Sequence, residues 1–360
     1  MEKFSLRTRI LSGAGTVSAL KEFGADRVMV VTDSYFGKNG TAQRIGALTG
    51  GRDIRIFDRV QPDPTVELAA EGTAAFREFG PELLVALGGG SAMDLAKAVK
   101  YFAKSPVPLE AIPTTSGSGS EVTEFAVLTH GRVKHPLVDP GLCPDMAILD
   151  SDLLQTLPKA LIADTGFDVL THAAEAAVAK HAGAFSDLYA REAFKNAYGA
   201  LPASYAGHAE VRLRIHRAST MAGIAFSQAG LGLCHALAHS LGGRFHVPHG
   251  RLNAILLPSV IRCNAYVTQR RYAELARAAG IVGSADSVAV RNLCNGLIRL
   301  RKELNLPETL AQAGIPPREI WGNMGELVRD ALADPCCRTN PLEPEDFVVR
   351  RILDEVMGRE

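Results

Sequence analysis

The sequence predicts two structural halves: an α/β N-terminal domain with a mostly parallel sheet, residues 1–160, and an all-helical C-terminal domain, residues 161–360. Three observations predict this. Short β-rich runs alternate with helical stretches up to about residue 150; after Pro158 the chain turns Ala- and Leu-rich with helical spacing; and 360 residues at 47% hydrophobic content can bury more than one core.

The strand runs are residues 28–32, 54–60, 83–87, 109–112 and 146–149, each separated from the next by helical sequence. Such spacing calls for crossover connections and hence a parallel sheet with helices on its faces. Helical spacing then runs through residues 162–180, 185–198, 211–225 and 288–303. Gly13-Ala-Gly15 has neither a long strand before it nor a third glycine after it, and reads as a turn. There is no internal repeat and no low-complexity tract.

Charge and composition narrow the function. With 39 basic and 39 acidic residues and no like-charge block, the chain offers neither a nucleic-acid footprint nor a polybasic membrane anchor. No stretch is long and apolar enough to span a bilayer. The opening MEKFSLRTRILSGAG spreads charge where a secretory signal needs an apolar run. The zero net charge makes a small neutral substrate the expectation, and six scattered cysteines that form no CxxC pair point to a reducing cytoplasm.

The first chemical signal is the passage from an apolar strand, Leu83-Leu-Val-Ala-Leu, through Gly88-Gly89-Gly90-Ser91 into a helix that carries Asp94. Glycines admit an anion to the backbone, and free N–H groups at a helix start attract phosphate. Ser91 is placed to cap the helix or to touch that phosphate. A second loop, Pro113-Thr114-Thr115-Ser116-Gly117-Ser118-Gly119-Ser120-Glu121-Val122-Thr123, follows another strand and is dense in hydroxyls suited to pyrophosphate, ribose or a carboxamide. Asp33, closing the strand at 28–32, either accepts from a ribose 2′-hydroxyl, favouring NAD over NADP, or serves as a turn residue.

Histidine placement is the stronger signal. Four of the ten histidines, His235, His239, His246 and His249, fall within the stretch from Gly230 to Gly250. His235 and His239 stand four apart, one turn on a single helix face, and Asp168 and His172 repeat that spacing upstream. An aspartate joined by histidines from two segments is a mixed oxygen–nitrogen set suited to Fe²⁺ or Zn²⁺. Cys234 would point off that face, and Cys336 and Cys337 lack spaced partners, so none of the three is assigned to metal.

These segments carry a resemblance. GGGSAMDLAKAV at 88–99, PTTSGSGSEVT at 113–123, GFDVLTHAAEA at 166–176 and GLGLCHALAHSLGGRFHVPHGRLNAILLP at 230–258 resemble, in order and over nearly the whole chain, the iron-containing (group III) alcohol dehydrogenase family. Within it, FSLRTRILSGAG and DPCCRTNP are similar to the branch of 1-propanol dehydrogenases from propanediol-utilisation microcompartments. The resemblance implies an N-terminal dinucleotide-binding domain and a C-terminal metal-binding domain with the active site in a cleft between them. It implies Asp168, His172, His235 and His249 as ligands of Fe²⁺, or of Zn²⁺ or another divalent ion. For NAD it implies contacts from Asp33, Gly89, Gly90, Ser91, Asp94, Thr114, Thr115, Ser118, Thr123 and Lys134, with His239 as a proton relay beside the metal and His246 outside the site. A homodimer or larger homo-oligomer and a place as microcompartment cargo are implied as well.

The chemistry expected is hydride transfer between NAD(H) and a short-chain alcohol or aldehyde, helped by a Lewis-acidic ion. Phe125, bulky where some relatives carry smaller or polar residues, is expected to narrow the pocket toward substrates such as propanol. Dehydroquinate-synthase-like lyases and glycerol dehydrogenases share the two-domain plan. The former would want several cations around the metal motifs, where only Arg244 and Arg251 stand; a scaffold with a dead site would have broken ligands, and all four are intact.

Overall fold

Every residue of Leu83–Gly88 is buried, as a central strand covered on both faces of a parallel sheet must be. The computed structural model describes residues 4–131 and 133–358 and falls into two units, one of Ser5–Leu157 and one running on from Pro158 and including Phe4. In the first, β1 (Arg9–Gly13), β2 (Arg27–Asp33), β3 (Asp53–Val60), β4 (Leu83–Gly88), β5 (Leu109–Pro113) and β8 (Met146–Asp150) form one parallel sheet in the order β1-β8-β5-β4-β2-β3. The helices are α1 (Ser34–Lys38), α2 (Thr41–Leu48), α3 (Val66–Phe79) and α4 (Gly90–Ala103). Apolar clusters lie on both faces of the sheet, one around Met29, Val31, Leu84 and Leu95, the other around Val28, Val30, Val85 and Ile148.

The sheet order positions the cofactor residues. From β2 the chain steps outward to β3, then returns to place β4 on the other side of β2, so the order reverses between β2 and β4. At such a switch point the connections leave in opposite directions and open a crevice at the carboxyl ends of the strands. Asp33 ends β2, Gly88 ends β4, and the hydroxyl-rich loop begins where β5 ends.

Two features carry no pattern in the sequence. β1 is an edge strand of only partly buried residues, and β6 (Phe125–His130) with β7 (Val133–Val138) forms a separate antiparallel hairpin. Lys134, His135 and Pro136 make β7 read as loop; a two-stranded ribbon tolerates them because one edge of each strand is free.

The second unit has only helices among its described residues. They are α5 (Lys159–Ala176), α6 (Ala184–Ala206), α7 (Arg212–Ala229), α8 (Leu233–Phe245), α9 (His249–Ala278), α10 (Asp286–Glu303), α11 (Pro317–Ala333), α12 (Pro335–Arg338) and α13 (Asp346–Met357). α5 is buried almost throughout from Ile162 to Ala176, so Asp168, His172 and Glu175 sit in the middle of the bundle. The first turn of α9 presses on it: a Cβ on Gly250 would fall 1.9 Å from the Asp164 carbonyl oxygen, and Arg251 forks onto the Asp164 carboxylate at 2.9 and 3.1 Å. Only glycine permits that approach, which fixes His249 beside α5.

Candidate dinucleotide cradle and metal centre

In the first unit the two small-residue loops face each other. A Cβ on Gly89 would lie 3.2 Å from Thr115 Oγ1 and one on Gly90 3.0 Å from Ser118 Cβ, while the Thr114 amide donates to the Gly88 carbonyl at 2.9 Å. Gly88 has φ 146° and a Cβ there would meet Ala92 Cβ at 2.8 Å, so a side chain would be both strained and crowded. The N-cap of α4 is Gly89, with no side-chain cap, and Ser91 makes no capping bond; the first amides of a fourteen-residue helix are left to an anion. Asp33 does two things. Its Oδ1 caps α1 through the Tyr35 and Phe36 amides at 2.9 and 3.2 Å, while Oδ2 is turned toward Gly88.

Asp94 and Thr123 spend their polar atoms inside the unit. Asp94 accepts from Ser120 Oγ at 2.8 Å and from the Val127 amide at 3.1 Å, and burial raises its pKa. The Thr123 hydroxyl is held by Lys97 at 3.0 Å. Lys97, which sequence reasoning passed over, is fully buried; its ammonium also donates to Ser120 Oγ and to the carbonyls of Thr123 and Phe125 at 2.7 to 2.9 Å. Burial brings its pKa down to about 8, against the pull of Asp94. These residues brace the hydroxyl loop. Lys134, on β7, pairs with Asp63 at 2.6 Å and adds positive charge near Asp94.

In the second unit α5, α8 and the start of α9 bring the histidines to Asp168. Its Oδ1 lies 3.5 Å from His249 Nε2, 3.6 Å from His235 Nε2 and 3.9 Å from His172 Nδ1. Asp168, His235 and His249 place donor atoms within 4.8 Å of one another; His172 stands beside that set, its ring stacked on His235 at 4.4 Å. Burial alone would raise the Asp168 pKa, but His172, His249 and His235 hold it far below the carboxylate range. Burial works against charge on His235 too, yet Asp168 and Glu175 lift it to about 9. Its Nε2 is buried without a hydrogen-bond partner. An acidic carboxylate ringed by imidazoles, one with an unsatisfied nitrogen, is the donor set that suits a divalent ion with bonds of about 2 Å.

Three supporting residues complete the centre. Glu175 is 1% exposed and accepts from His235 Nδ1 at 2.6 Å and from the Gly232 and Cys234 amides at 3.0 and 2.6 Å. Held this way, His235 turns Nε2 toward Asp168. Asn253, also buried, donates to Asp168 Oδ1 at 2.9 Å and contacts His249 Nε2 at 3.2 Å. Asp334 accepts from His239 Nδ1 at 2.9 Å, and the His239 ring stacks on His249 at 5.1 Å. Glu175 and Asn253 were legible as one-turn neighbours of His172 and His249; Asp334, 95 residues from His239, had no local signal. His246 is the exposed left-handed C-cap of α8, away from these contacts. Arg251 is committed to Asp164, and Arg244 to Glu326 and Asn323.

A sheet with its crevice at a glycine-lined switch point, joined in one chain to a helical bundle with a three-imidazole carboxylate cluster, defines a metal-dependent dehydrogenase of the two-domain kind. Comparison with known families carries this further: the description "Iron-containing alcohol dehydrogenase" matches residues 7–151 and "Fe-containing alcohol dehydrogenase family, C-terminal" matches residues 162–357. The chain belongs to the iron-containing alcohol dehydrogenase family and is an alcohol dehydrogenase. It is 40% identical to the 1-propanol dehydrogenase PduQ of Salmonella typhimurium over 99% of this chain and 100% of that protein. Identity to the NADPH-dependent butanol dehydrogenase of Clostridium saccharobutylicum is 35%, over 98% and 97% of the two chains. Among solved structures, the iron-containing alcohol dehydrogenase of Thermococcus thioreducens superposes with TM-score 0.91 at 35% identity, covering 98% of this chain and 99% of that one. A 1,3-propanediol oxidoreductase gives 0.93 at 29%, covering 99% and 100%.

Proposed function

We propose that this enzyme interconverts a short primary alcohol, 1-propanol first among them, and its aldehyde with NAD(H) as hydride partner. The observation that carries the reading is the convergence of three imidazoles on Asp168 Oδ1 with His239 stacked beside them. Kinship with 1-propanol dehydrogenases, at 40% and 38% identity over 99% of the chain, supports the substrate. So does the pairing of Arg244 with Glu326 and of Arg251 with Asp164, which commits to internal carboxylates the two cations that a lyase of the same plan would turn toward a phosphorylated acid.

Asp168, His172, His235 and His249 would hold the ion; Gly89, Gly90 and Ser91 would give amides to the pyrophosphate, with Thr114, Thr115 and Ser118 forming the facing wall. When bound, Fe²⁺ or Zn²⁺ supplies Lewis acidity toward the alcohol or carbonyl oxygen, and NAD(H) takes or gives the hydride. His239, with Nδ1 tied to Asp334, takes up or releases the substrate proton at Nε2. Asp33 offers Oδ2 to the ribose hydroxyls, and its charge disfavours a 2′-phosphate. Phe125, whose carbonyl is pinned by Lys97, limits chain length; Phe125→Ala should broaden activity toward longer alcohols. The active form is a homodimer or larger homo-oligomer, working in the cytoplasm or as microcompartment cargo; light scattering and co-purification with shells check these two points.

The decisive test is NADH oxidation by propionaldehyde with protein stripped of metal and then reloaded anaerobically with Fe²⁺ or Zn²⁺. Metal-restored turnover, with NADH preferred over NADPH, is expected. Silence with every metal, across short aldehydes and both nucleotides, would overturn the reading.

A further inference from the structure

We propose a second cation site, built from His239, Asp334 and Cys336, that takes a soft divalent ion such as Zn²⁺ beside the four-residue centre. Donor atoms of these three residues lie within 4.8 Å of one another. All three are half-buried rather than sealed in the core. Their placement is fixed by backbone: Asp334 caps α12, its Oδ1 accepting from the Cys336 amide at 2.8 Å, and that cap sets the carboxylate and the thiol side by side. His239 arrives from α8 and already meets Asp334 Oδ2 through Nδ1.

The chemistry of the set is distinct from that of the first centre. Asp168, His172, His235 and His249 offer only oxygen and nitrogen, whereas Cys336 adds sulfur, which selects Zn²⁺ over Fe²⁺. An ion here displaces the proton on Cys336 Sγ to solvent, while the His239 ring proton passes from Nδ1 to Nε2, so that the ring binds through Nδ1 as a neutral imidazole. The thiolate and the Asp334 carboxylate then balance its two positive charges. His239 also stacks on His249 and meets His235 edge-on at 6.2 Å, so occupancy of the second site constrains the one imidazole assigned to proton transfer. That consequence for turnover rests on the proposed function; the site itself does not.

Anaerobic titration of the metal-free full chain with Co²⁺ tests it, because a thiolate-to-cobalt charge-transfer band in the near ultraviolet can come from the sulfur-containing site and not from the first centre. Two equivalents bound, with a band intensity that accounts for one of them, are expected. Cys336→Ser should abolish the band and bind one equivalent. Excess Zn²⁺ should lower turnover of the parent about a hundredfold and the variant far less. One equivalent without the band overturns the second site and leaves the proposed function standing. A band that survives in Cys336→Ser assigns the sulfur elsewhere and also overturns it. Loss of the ligand-field bands of the sulfur-free centre would instead sink the functional reading.

Discussion

Glu175 shows how one carboxylate can govern a metal centre it does not join. Its three bonds to His235 Nδ1 and the Gly232 and Cys234 amides lock α5 to the start of α8 and decide which imidazole nitrogen faces Asp168. Glu175→Gln keeps the shape but weakens the bond that orients the ring, so metal affinity should fall about 10- to 100-fold. Competition against a chelator of known affinity measures this, and unchanged affinity would reduce Glu175 to a packing residue. Lys97 plays the corresponding part in the other unit. Lys97→Met leaves Asp94 without its buried cation and strands two carbonyls, and should lower unfolding free energy by about 3–5 kcal/mol. Urea denaturation reads that loss, and a rise in KM for NADH should accompany it as the hydroxyl loop slackens. The sequence made the candidate metal cluster legible because Asp168 and His172, and likewise His235 and His239, stand one helical turn apart; it hid Lys97, since a lysine amid alanines on a helix reads as a solvated face.

Among the elements, β5 carries an unusual burden. Glu110 points into the fold at 1% exposure, and burial, aided by Asp145, pushes its pKa up to about 8 from an ordinary 4.5. Below about pH 4.5 the folded and unfolded chains both hold this proton. Between there and pH 8 the unfolded chain has released it while the folded chain keeps it, so the stability that Glu110 contributes is lost as pH rises through that window. Glu110→Gln should therefore match the parent more closely near pH 5 and exceed it at pH 8. Parallel slopes of urea midpoint against pH in the two proteins would refute the assignment. The buried strands β2, β4, β5 and β8 were readable as apolar runs, whereas β1 and the β6–β7 hairpin were not, because edges and ribbons need no such run. The late segment Asp334–Asn340 was legible only as a family likeness. In the fold it is a strap: Asp334 holds His239, Thr339 donates to the Leu231 carbonyl, and Asn340 accepts from the Leu233 amide, all by contacts about 95 to 108 residues apart in sequence.

For the molecule as a whole, the two proposed ligand sets fall on different units: every residue proposed for the dinucleotide lies within Ser5–Leu157, and every residue proposed for the metal lies beyond Pro158. The change of pattern near residue 160 reflects that division, since a parallel sheet needs β-rich runs and a bundle needs helical spacing throughout. Each ligand should then stabilise its own unit. A ligand at one hundred times its Kd adds about 2.7 kcal/mol to the state that binds it, enough to slow exchange of amides that open with that unit about a hundredfold. Hydrogen–deuterium exchange of the metal-free chain should show Zn²⁺ protecting α5, α8 and the first turns of α9. NAD should protect the end of β2, the first turn of α4 and the loop from Thr114 to Thr123. Protection of the glycine turn by metal alone, or of α5 by NAD alone, would mean that binding energy crosses between units. Adding both ligands would then slow exchange beyond the product of the two separate effects, whereas independent units give the product and no more.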